Sequence, residues 1–298
     1  MIRIGTRASA LAVAQARWVA ERCAAETELV TLTTAGDRGA PVGDKSRWVS
    51  ELERALLAGE IDLAVHSAKD VPADLAPGLT LVAVPTRADP RDAICGAPSL
   101  AALRSGARVG TTSLRRAAQI RATREDLELV GVRGNVDTRL RKLAEGEVDA
   151  LVLALAGVQR LGREREVGGV LDQLVPAAGH GALALEARVG ALHDGALGSG
   201  ALDRLIDADA TACVSAEREL VRALQASCNT PVGAYARPTP GGDLELTGWV
   251  GLPDGSAWLR DTLTGRPEAL GLAVAQRMLA TGAGELLRQC SQVAEARA

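Results

Sequence analysis

Short apolar runs alternate with longer amphipathic stretches over the first two thirds of the chain. The short runs are typical of buried β-strands, and the longer stretches repeat apolar residues at helical spacing. Because strands that alternate with helices form open, mostly parallel sheets, the pattern predicts an α/β fold with helices on both faces. The predicted strands are Arg3–Gly5, Leu29–Thr33, Ile61–His66, Leu79–Val84, Arg108–Thr111, Leu127–Val132 and Ala150–Ala154. The predicted helices are Ser9–Ala25, Trp48–Ala58, Ser113–Arg124 and Val136–Ala144.

A proline-rich stretch divides this alternation into two series. It runs from Pro85 to Pro98, and each series is long enough to form a sheet of its own. The glycine-rich stretch Val189–Gly200 predicts a linker, after which the order of elements changes. The remainder predicts a small antiparallel α+β domain. Its elements are a helix over Asp203–Ala226, strands over Val232–Arg237, Leu244–Val250 and Ala257–Leu263, and a C-terminal helix from about Pro267.

The composition argues against nucleic acids and membranes as binding partners. The chain of 298 residues is 47% hydrophobic, as expected for a globular protein of two or three domains. The net charge is −3 and aromatic residues make up 2% of the chain, which argues against a nucleic-acid surface with stacking platforms. We find no apolar run of membrane-spanning length and no signal peptide, so we expect a cytoplasmic protein.

Cysteine and histidine usage argues against a metal site. The five cysteines are widely spaced without a C-x-x-C pair, and there are three histidines. The basic residues are almost all arginines, with lysine only at Lys45, Lys69 and Lys142. Because Arg and Lys are not interchangeable, a retained lysine suggests a site that needs a compact ammonium group.

The segment Gly110–Arg116 carries the strongest local signal. A short strand ends there, and Ser113 is a suitable N-cap for the following helix. Arg115 and Arg116 then stand in the first helical turn, where the helix dipole favours acidic residues instead. Free backbone N–H groups, a hydroxyl and two guanidiniums converge at this point. The segment therefore predicts an anion site for a ligand with several carboxylate or phosphate oxygens.

Other basic residues follow the predicted strands in the same way. In open α/β sheets, ligands bind outside the carboxyl ends of strands. If the two sheets face each other, guanidiniums line the cleft between them. The chain has neither G-x-x-x-x-G-K-[ST] nor G-x-G-x-x-G, so a polycarboxylate is favoured over a polyphosphate. The arginines at these strand ends are Arg7, Arg115, Arg116, Arg133, Arg139 and Arg160.

Three further residues leave alternatives open. Asp70 follows the predicted strand Ile61–His66, where it could stabilise a developing cation or move protons. Lys69 could bind a carboxylate or form a Schiff base, and the two together could be a solvated surface pair. Cys228 lies in a turn between helix and strand, where it could be an accessible thiol or a buried apolar residue.

These segments together resemble the porphobilinogen deaminase, or hydroxymethylbilane synthase, family. The matching segments keep the order of the family and cover nearly the whole chain. Each segment alone is unspecific, whereas the combination is highly specific. They are Ile4–Ser9 with Leu11 and Gln15, Ala64–Pro72, Asp89–Asp92, Gly110–Arg116, Arg133–Leu140, Ala154–Gly157 with Arg160–Gly162, and Cys228 with Pro231–Gly233.

The resemblance implies a transferase of tetrapyrrole biosynthesis. Such an enzyme joins four porphobilinogen molecules head to tail, releases ammonia each time and yields hydroxymethylbilane. A dipyrromethane cofactor is held by a thioether to Cys228, and Asp70 supports the cationic azafulvene intermediates. The implied cofactor contacts are Lys69, Thr111, Ser113, Arg115, Arg116 and Gly134. The implied substrate contacts are Arg7, Ser9, Ser67, Arg133, Arg139 and Arg160.

The resemblance also implies the architecture. Two doubly wound domains like type II periplasmic binding proteins enclose a cleft, and a small C-terminal α+β domain carries the cofactor cysteine. We place the first domain at residues 1–86 and 182–202, the second at 87–181 and the third at 203–298. We expect a monomer that binds no nucleic acid, membrane or metal. The alternative function is a non-catalytic two-domain module that binds a dicarboxylate.

Three places depart from the family pattern. His180 stands where glutamine is usual, and Ser227 stands where glycine is usual before the cysteine. The stretch Lys45–Trp48 replaces a pattern of Lys-Gly-x-Phe. None of these changes removes a residue to which the resemblance gives a chemical role.

Overall fold

The computed structural model describes residues 1–33, 46–192, 197–198, 200–226 and 230–295. These residues form two compact units, Met1–Ala88 with Gly181–Val214 and Asp89–His180 with Ser215–Ala298. The strands in chain order are β1 Ile2–Arg7, β2 Thr27–Leu32, β3 Leu63–Ser67, β4 Leu79–Ala83, β5 Asp92–Cys95, β6 Arg108–Gly110, β7 Glu128–Val130, β8 Ala150–Ala154, β9 Val167–Leu171, β10 Leu183–Arg188, β11 Val232–Pro238, β12 Leu244–Gly251 and β13 Trp258–Gly265. The helices are α1 Ala10–Ala20, α2 Ser46–Leu57, α3 Leu114–Arg121, α4 Val136–Ala144, α5 Leu155–Arg160, α6 Ala208–Ala223, α7 Pro267–Ala280 and α8 Ala283–Glu295.

The first unit contains a five-stranded sheet in the order β2-β1-β3-β10-β4. β1 is parallel to both β2 and β3, whereas β10 is antiparallel to both of its neighbours. Ala16 and Val19 of α1 pack with Ile4 on one face of the sheet. Leu52 and other residues of α2 pack on the opposite face. Because successive side chains along a strand point to opposite faces of the sheet, the sheet presents an apolar surface to each of the two helices.

The second unit contains a five-stranded sheet with the same pattern of strand directions, in the order β7-β6-β8-β5-β9. Here β5 is the strand that runs antiparallel to both neighbours. Ile120 of α3 packs on one face, and Leu140 of α4 packs on the other with Val158 of α5. The unit also holds the antiparallel sheet β11-β12-β13, against which α7 and α8 pack.

This architecture confirms the predicted fold class of two α/β sheets and a small α+β part. Every predicted strand and helix has a counterpart, and the two five-stranded sheets are mostly parallel, with one reversed strand in each. The strands β5, β9 and β10 and the helix α5 were not predicted. The boundaries given above for three domains stay a prediction. The predicted linker lies partly outside the described residues, and in the described ranges no helix has the length and apolarity needed to cross a membrane.

Candidate active site

The first unit places two predicted motifs at one edge of its sheet. β1 and β3 are parallel neighbours, so their carboxyl ends lie together. Arg7 is the last residue of β1, and Ser9 caps α1 by accepting a hydrogen bond from the Ala12 N–H at 3.3 Å. Ser67 ends β3 and is bonded to α1, because the Gln15 amide donates to its hydroxyl at 2.9 Å.

Lys69 and Asp70 lie directly after β3 at the same edge. They form a single 3-10 turn, Ala68–Asp70, whose first residue is buried. The Ala68 N–H donates to the Ala182 carbonyl at 3.0 Å, and this bond fixes the start of the turn. The Lys69 and Asp70 side chains are half-buried. The turn therefore holds an ammonium and a carboxylate at the carboxyl edge of the sheet.

The second unit gathers its predicted residues at the corresponding edge. β7, β6 and β8 are parallel neighbours, and each is followed at its carboxyl end by a helix. The Ser113 hydroxyl accepts from the Arg116 N–H at 3.4 Å and so caps α3, as predicted. Asn135 caps α4 in the same way. The predicted residues on these connections and helices are Thr111, Ser113, Arg115, Arg116, Arg133, Gly134, Arg139 and Arg160.

Gly134 has a backbone conformation that only glycine adopts readily. Its φ is +118°, and a Cβ atom there would lie 2.6 Å from the Thr138 Cγ2. Its carbonyl accepts a hydrogen bond from the Arg139 Nε at 2.8 Å. This glycine thus allows the turn into α4 that positions the Arg139 guanidinium.

A buried carboxylate, Asp92, holds the two arginines of α3. Its Oδ2 accepts from the Arg115 Nη2 at 2.8 Å, and its Oδ1 accepts from the Arg116 Nη2 at 2.7 Å and Nε at 2.9 Å. All three side chains are buried, with Asp92 at 0% exposure. Burial alone would raise the pKa of Asp92, but the charges of Arg115 and Arg116 outweigh it and hold the pKa well below its usual range.

Asp92 is a residue of the site that the sequence analysis did not identify. It appeared there only as the last residue of the family-like stretch Asp89–Asp92. The structure also places His180 beside it, with its Nδ1 at 3.7 Å from Asp92 Oδ1 and 2.7 Å from the Pro90 carbonyl oxygen. The two arginines at the start of α3 thus share one carboxylate from within the chain, which neutralises one of their two positive charges.

Arg115 keeps one unmet hydrogen-bond donor. Its Nη1 donates to the Val175 carbonyl at 2.7 Å, but its buried Nε has no hydrogen-bond partner among the described residues. Burial also lowers the pKa of Arg115, because the charged guanidinium is desolvated. A buried donor without a partner is costly, so this position favours an added carboxylate oxygen.

Arg139 and Arg160 are half-buried guanidiniums at the same sheet edge. Burial lowers the pKa of Arg160 to about 10. It also lowers the pKa of Arg139, and the neighbouring charge of Arg116 adds to that effect. An anion beside a guanidinium stabilises it, both when the guanidinium has lost hydration, as at Arg160, and when another positive charge is near, as at Arg139. Arg133, at the same edge, is exposed.

Cys228 and Ser227 lie outside the described residues, as does Lys45. The elements on either side of Cys228 are described. α6 ends at Ala223 and β11 begins at Val232, and these two residues lie in the second unit. No group of histidine, cysteine or acidic side chains suited to a metal occurs in the described part of the chain.

The structure defines an α/β protein with basic residues at the carboxyl edge of each five-stranded sheet. Comparison with known proteins adds the family. The model "Porphobilinogen deaminase, dipyromethane cofactor binding domain" matches residues 2–193, and "Porphobilinogen deaminase, C-terminal domain" matches residues 211–280. The chain therefore belongs to the porphobilinogen deaminase family.

Individual relatives agree with this assignment. The porphobilinogen deaminase of Brevibacillus brevis is 43% identical, over 96% of this chain and 96% of its own. That of Roseiflexus castenholzii is 45% identical, over 96% of this chain and 98% of its own. Among solved structures, a TRAP periplasmic solute binding protein from Desulfovibrio salexigens gives a TM-score of 0.42 at 11% identity, over 68% of this chain and 73% of its own. That likeness is too distant to bear on function.

Proposed function

We propose that this protein catalyses the porphobilinogen deaminase reaction. It joins four porphobilinogen molecules head to tail and releases ammonia at each addition. Water then cleaves the bond between the four new units and the primer, which yields hydroxymethylbilane for tetrapyrrole biosynthesis. The observation that carries the proposal is the match of two family models over most of the chain. The strand-end residues of the motifs support it, because each pyrrole unit brings two carboxylates that guanidiniums can bind.

The dipyrromethane group named by the family model fits the residues of the second unit. When bound, it supplies the pyrrole to which new units are joined. We propose that a thioether to Cys228 holds this group on the protein. The unmet donor at Arg115 Nε favours a carboxylate of this group. The residues of this unit proposed to hold its carboxylates are Thr111, Ser113, Arg115, Arg116 and Gly134, and the proposal also includes Lys69 of the first unit.

A second set of residues is proposed to bind the substrate. Arg139 and Arg160 combine positive charge with reduced hydration, which favours carboxylates at their edge of the sheet. Ser67 and Ser9 offer hydroxyls at the edge of the first sheet. The proposed substrate contacts are Arg7, Ser9, Ser67, Arg133, Arg139 and Arg160.

Asp70 is the proposed catalytic residue. Positive charge develops on the substrate pyrrole when ammonia leaves, and a fixed carboxylate beside that pyrrole stabilises the charge. The 3-10 turn anchored through Ala68 gives the carboxylate a fixed position at the sheet edge. Half-burial of Asp70 reduces its hydration, and this strengthens its electrostatic effect.

Asp70→Asn is expected to lower kcat about a hundred- to thousandfold, equivalent to about 2.7–4 kcal/mol of transition-state stabilisation. The amide keeps the size and one oxygen but lacks the charge. Asp70→Glu keeps the charge and should retain more activity than Asp70→Asn. Steady-state kcat for both variants tests the role, with the exposed Asp74→Asn as a control that should match the wild type. An Asn variant as fast as the Glu variant would contradict it.

Arg160→Leu is expected to stall chain growth and leave cofactor attachment intact. Its desolvated guanidinium lies on α5, and its loss removes a carboxylate contact needed by the growing chain. Intact-protein mass spectra after a substrate pulse should show accumulated enzyme-bound intermediates. The exposed Arg165→Leu is the matched control and should turn over normally. A variant that changed KM alone, with kcat and the mass spectrum unchanged, would rule out this role.

The proposed function is tested on the unaltered protein. Intact-mass measurement should find a covalent adduct of dipyrromethane mass, and incubation with porphobilinogen should release ammonia. A non-catalytic dicarboxylate-binding module would show neither. Borohydride trapping with substrate would reveal a Schiff base at Lys69. We also propose a cytoplasmic monomer without membrane partners. The net charge of −3 and the low aromatic content support the further proposal that it binds no nucleic acid.

A further inference from the structure

Residues 175–179, here called the bridging segment, are held on one side by helix α3. The Val175 N–H donates to the Gln119 Oε1 at 2.7 Å, and the Gln119 Nε2 donates back to the Val175 carbonyl at 3.0 Å. The same carbonyl accepts from the Arg115 Nη1. All three residues are buried. One side-chain amide thus satisfies both backbone groups of Val175 and fixes this residue to the helix that carries the two arginines.

The bridging segment is held on its other side by the C-terminal sheet. The Ala234 N–H of β11 donates to the Pro176 carbonyl at 2.8 Å. Glu217 of α6 accepts from the Gly179 N–H through Oε2 and from the Ala236 N–H through Oε1, both at 2.7 Å. Glu217 is completely buried. Its carboxylate therefore joins α6, β11 and the bridging segment.

Close packing makes this junction rigid. Val175 packs with Ala118 of α3 and Trp249 of β12 in one buried cluster. A Cβ atom at Gly233 would lie 2.9 Å from both the Cγ1 and the carbonyl oxygen of Val175, so only glycine permits this approach. Buried hydrogen bonds in such a packed setting are costly to lose, which favours one arrangement of α3 and β11.

The junction has a consequence for the proposed cofactor. In the sequence, Cys228 lies between α6 and β11, the two elements that Glu217 joins. Arg115 and Arg116 lie about one turn before Gln119 on α3. We propose that Gln119 and Glu217 are positioning residues, which fix the elements flanking Cys228 relative to the arginines that bind the cofactor carboxylates. This inference rests on the proposed function.

The physical reason is the geometry of a tethered anion. A group bound covalently at one end reaches the guanidiniums at high effective concentration only if the two attachment points are fixed at the right separation. Misplacement by about 1 Å costs about a hundredfold in well-oriented reactions. Partial loosening of the junction should therefore slow cofactor assembly before it unfolds the protein.

The test mixes apoprotein with porphobilinogen and measures the rate of adduct formation by intact-protein mass spectrometry. Glu217→Gln keeps the shape, but its amide N–H₂ must face one of the two backbone N–H donors, so one bond is lost. Gln119→Met removes both bonds to Val175 at similar volume. We expect each variant to form the adduct about tenfold more slowly than the wild type, at a temperature where circular dichroism shows full folding.

The control separates positioning from stability. Thr247→Val removes the hydrogen bond to Thr262 in the same C-terminal sheet without contacting the bridging segment. It should lower Tm and still form the adduct at the wild-type rate. Gln119 and Glu217 variants that match this control would overturn the inference while leaving the proposed function intact. A wild-type protein that forms no adduct would overturn both.

Discussion

Cys228→Ser is expected to give a folded protein that carries no adduct and forms no hydroxymethylbilane. A thiolate is a far stronger nucleophile than a serine hydroxyl at neutral pH, so the thioether cannot form. The position lies outside the described residues, and the prediction rests on its place in the sequence and on the family. Intact mass after incubation with porphobilinogen, turnover and circular dichroism together measure the effect.

Cys23→Ser is the matched control for this experiment. Cys23 is half-buried in the first unit, and its thiol donates to the Ala201 carbonyl at 3.3 Å. A serine hydroxyl can make the same bond, so the variant should fold, gain the adduct and turn over. An adduct of unchanged mass on the Cys228→Ser variant would show that the attachment point is elsewhere. An adduct missing from both variants would point to a general folding defect.

The strands that the sequence predicted are those with continuous apolar runs. Such runs are typical of strands that are covered on both faces by helices, and β3 and β8 are of this kind. The strands that were not predicted lack a clear run of this type. β9 contains Gly168 and Gly169, which are weak strand formers, and β10 has the buried Glu186 at its centre. The Glu186 Oε2 lies 2.9 Å from the His66 Nε2, and only the paired strands bring these two residues together.

The residues of the candidate site likewise divide into those that the sequence predicted and those that it missed. The strand-end motifs could be predicted because a cap, a glycine and an arginine within one short segment are a local signal, as at Ser113–Arg116. Asp92 could not be assigned, because its partners lie 23 and 24 residues further along the chain. The burial of Arg115 and Arg116 likewise depends on that distant carboxylate. Long-range pairs of this kind follow from sheet topology and leave no periodic pattern in the sequence.

Asp92→Asn is expected to lower the free energy of unfolding by about 3–5 kcal/mol, because removing one partner of a buried ion pair leaves uncompensated charge. Here the asparagine would leave two buried guanidiniums without a carboxylate partner. Urea unfolding at neutral pH measures the loss. Glu60→Gln, which breaks an exposed pair with Arg54, is the control and should change stability little.

The effect of Asp92 should depend on pH in a defined direction. The folded-state pKa of this carboxyl is lowered, so its stabilisation is present above the pKa of an unfolded aspartate, about 3.9, and is lost as pH falls below that value. The Asn variant has no such proton to bind. The difference in unfolding free energy between wild type and Asp92→Asn should therefore be constant from about pH 7 to pH 5 and shrink below about pH 4. A difference that stayed constant on acidification, or a variant as stable as the wild type at neutral pH, would mean that the Asp92 charge does not hold the two arginines in place.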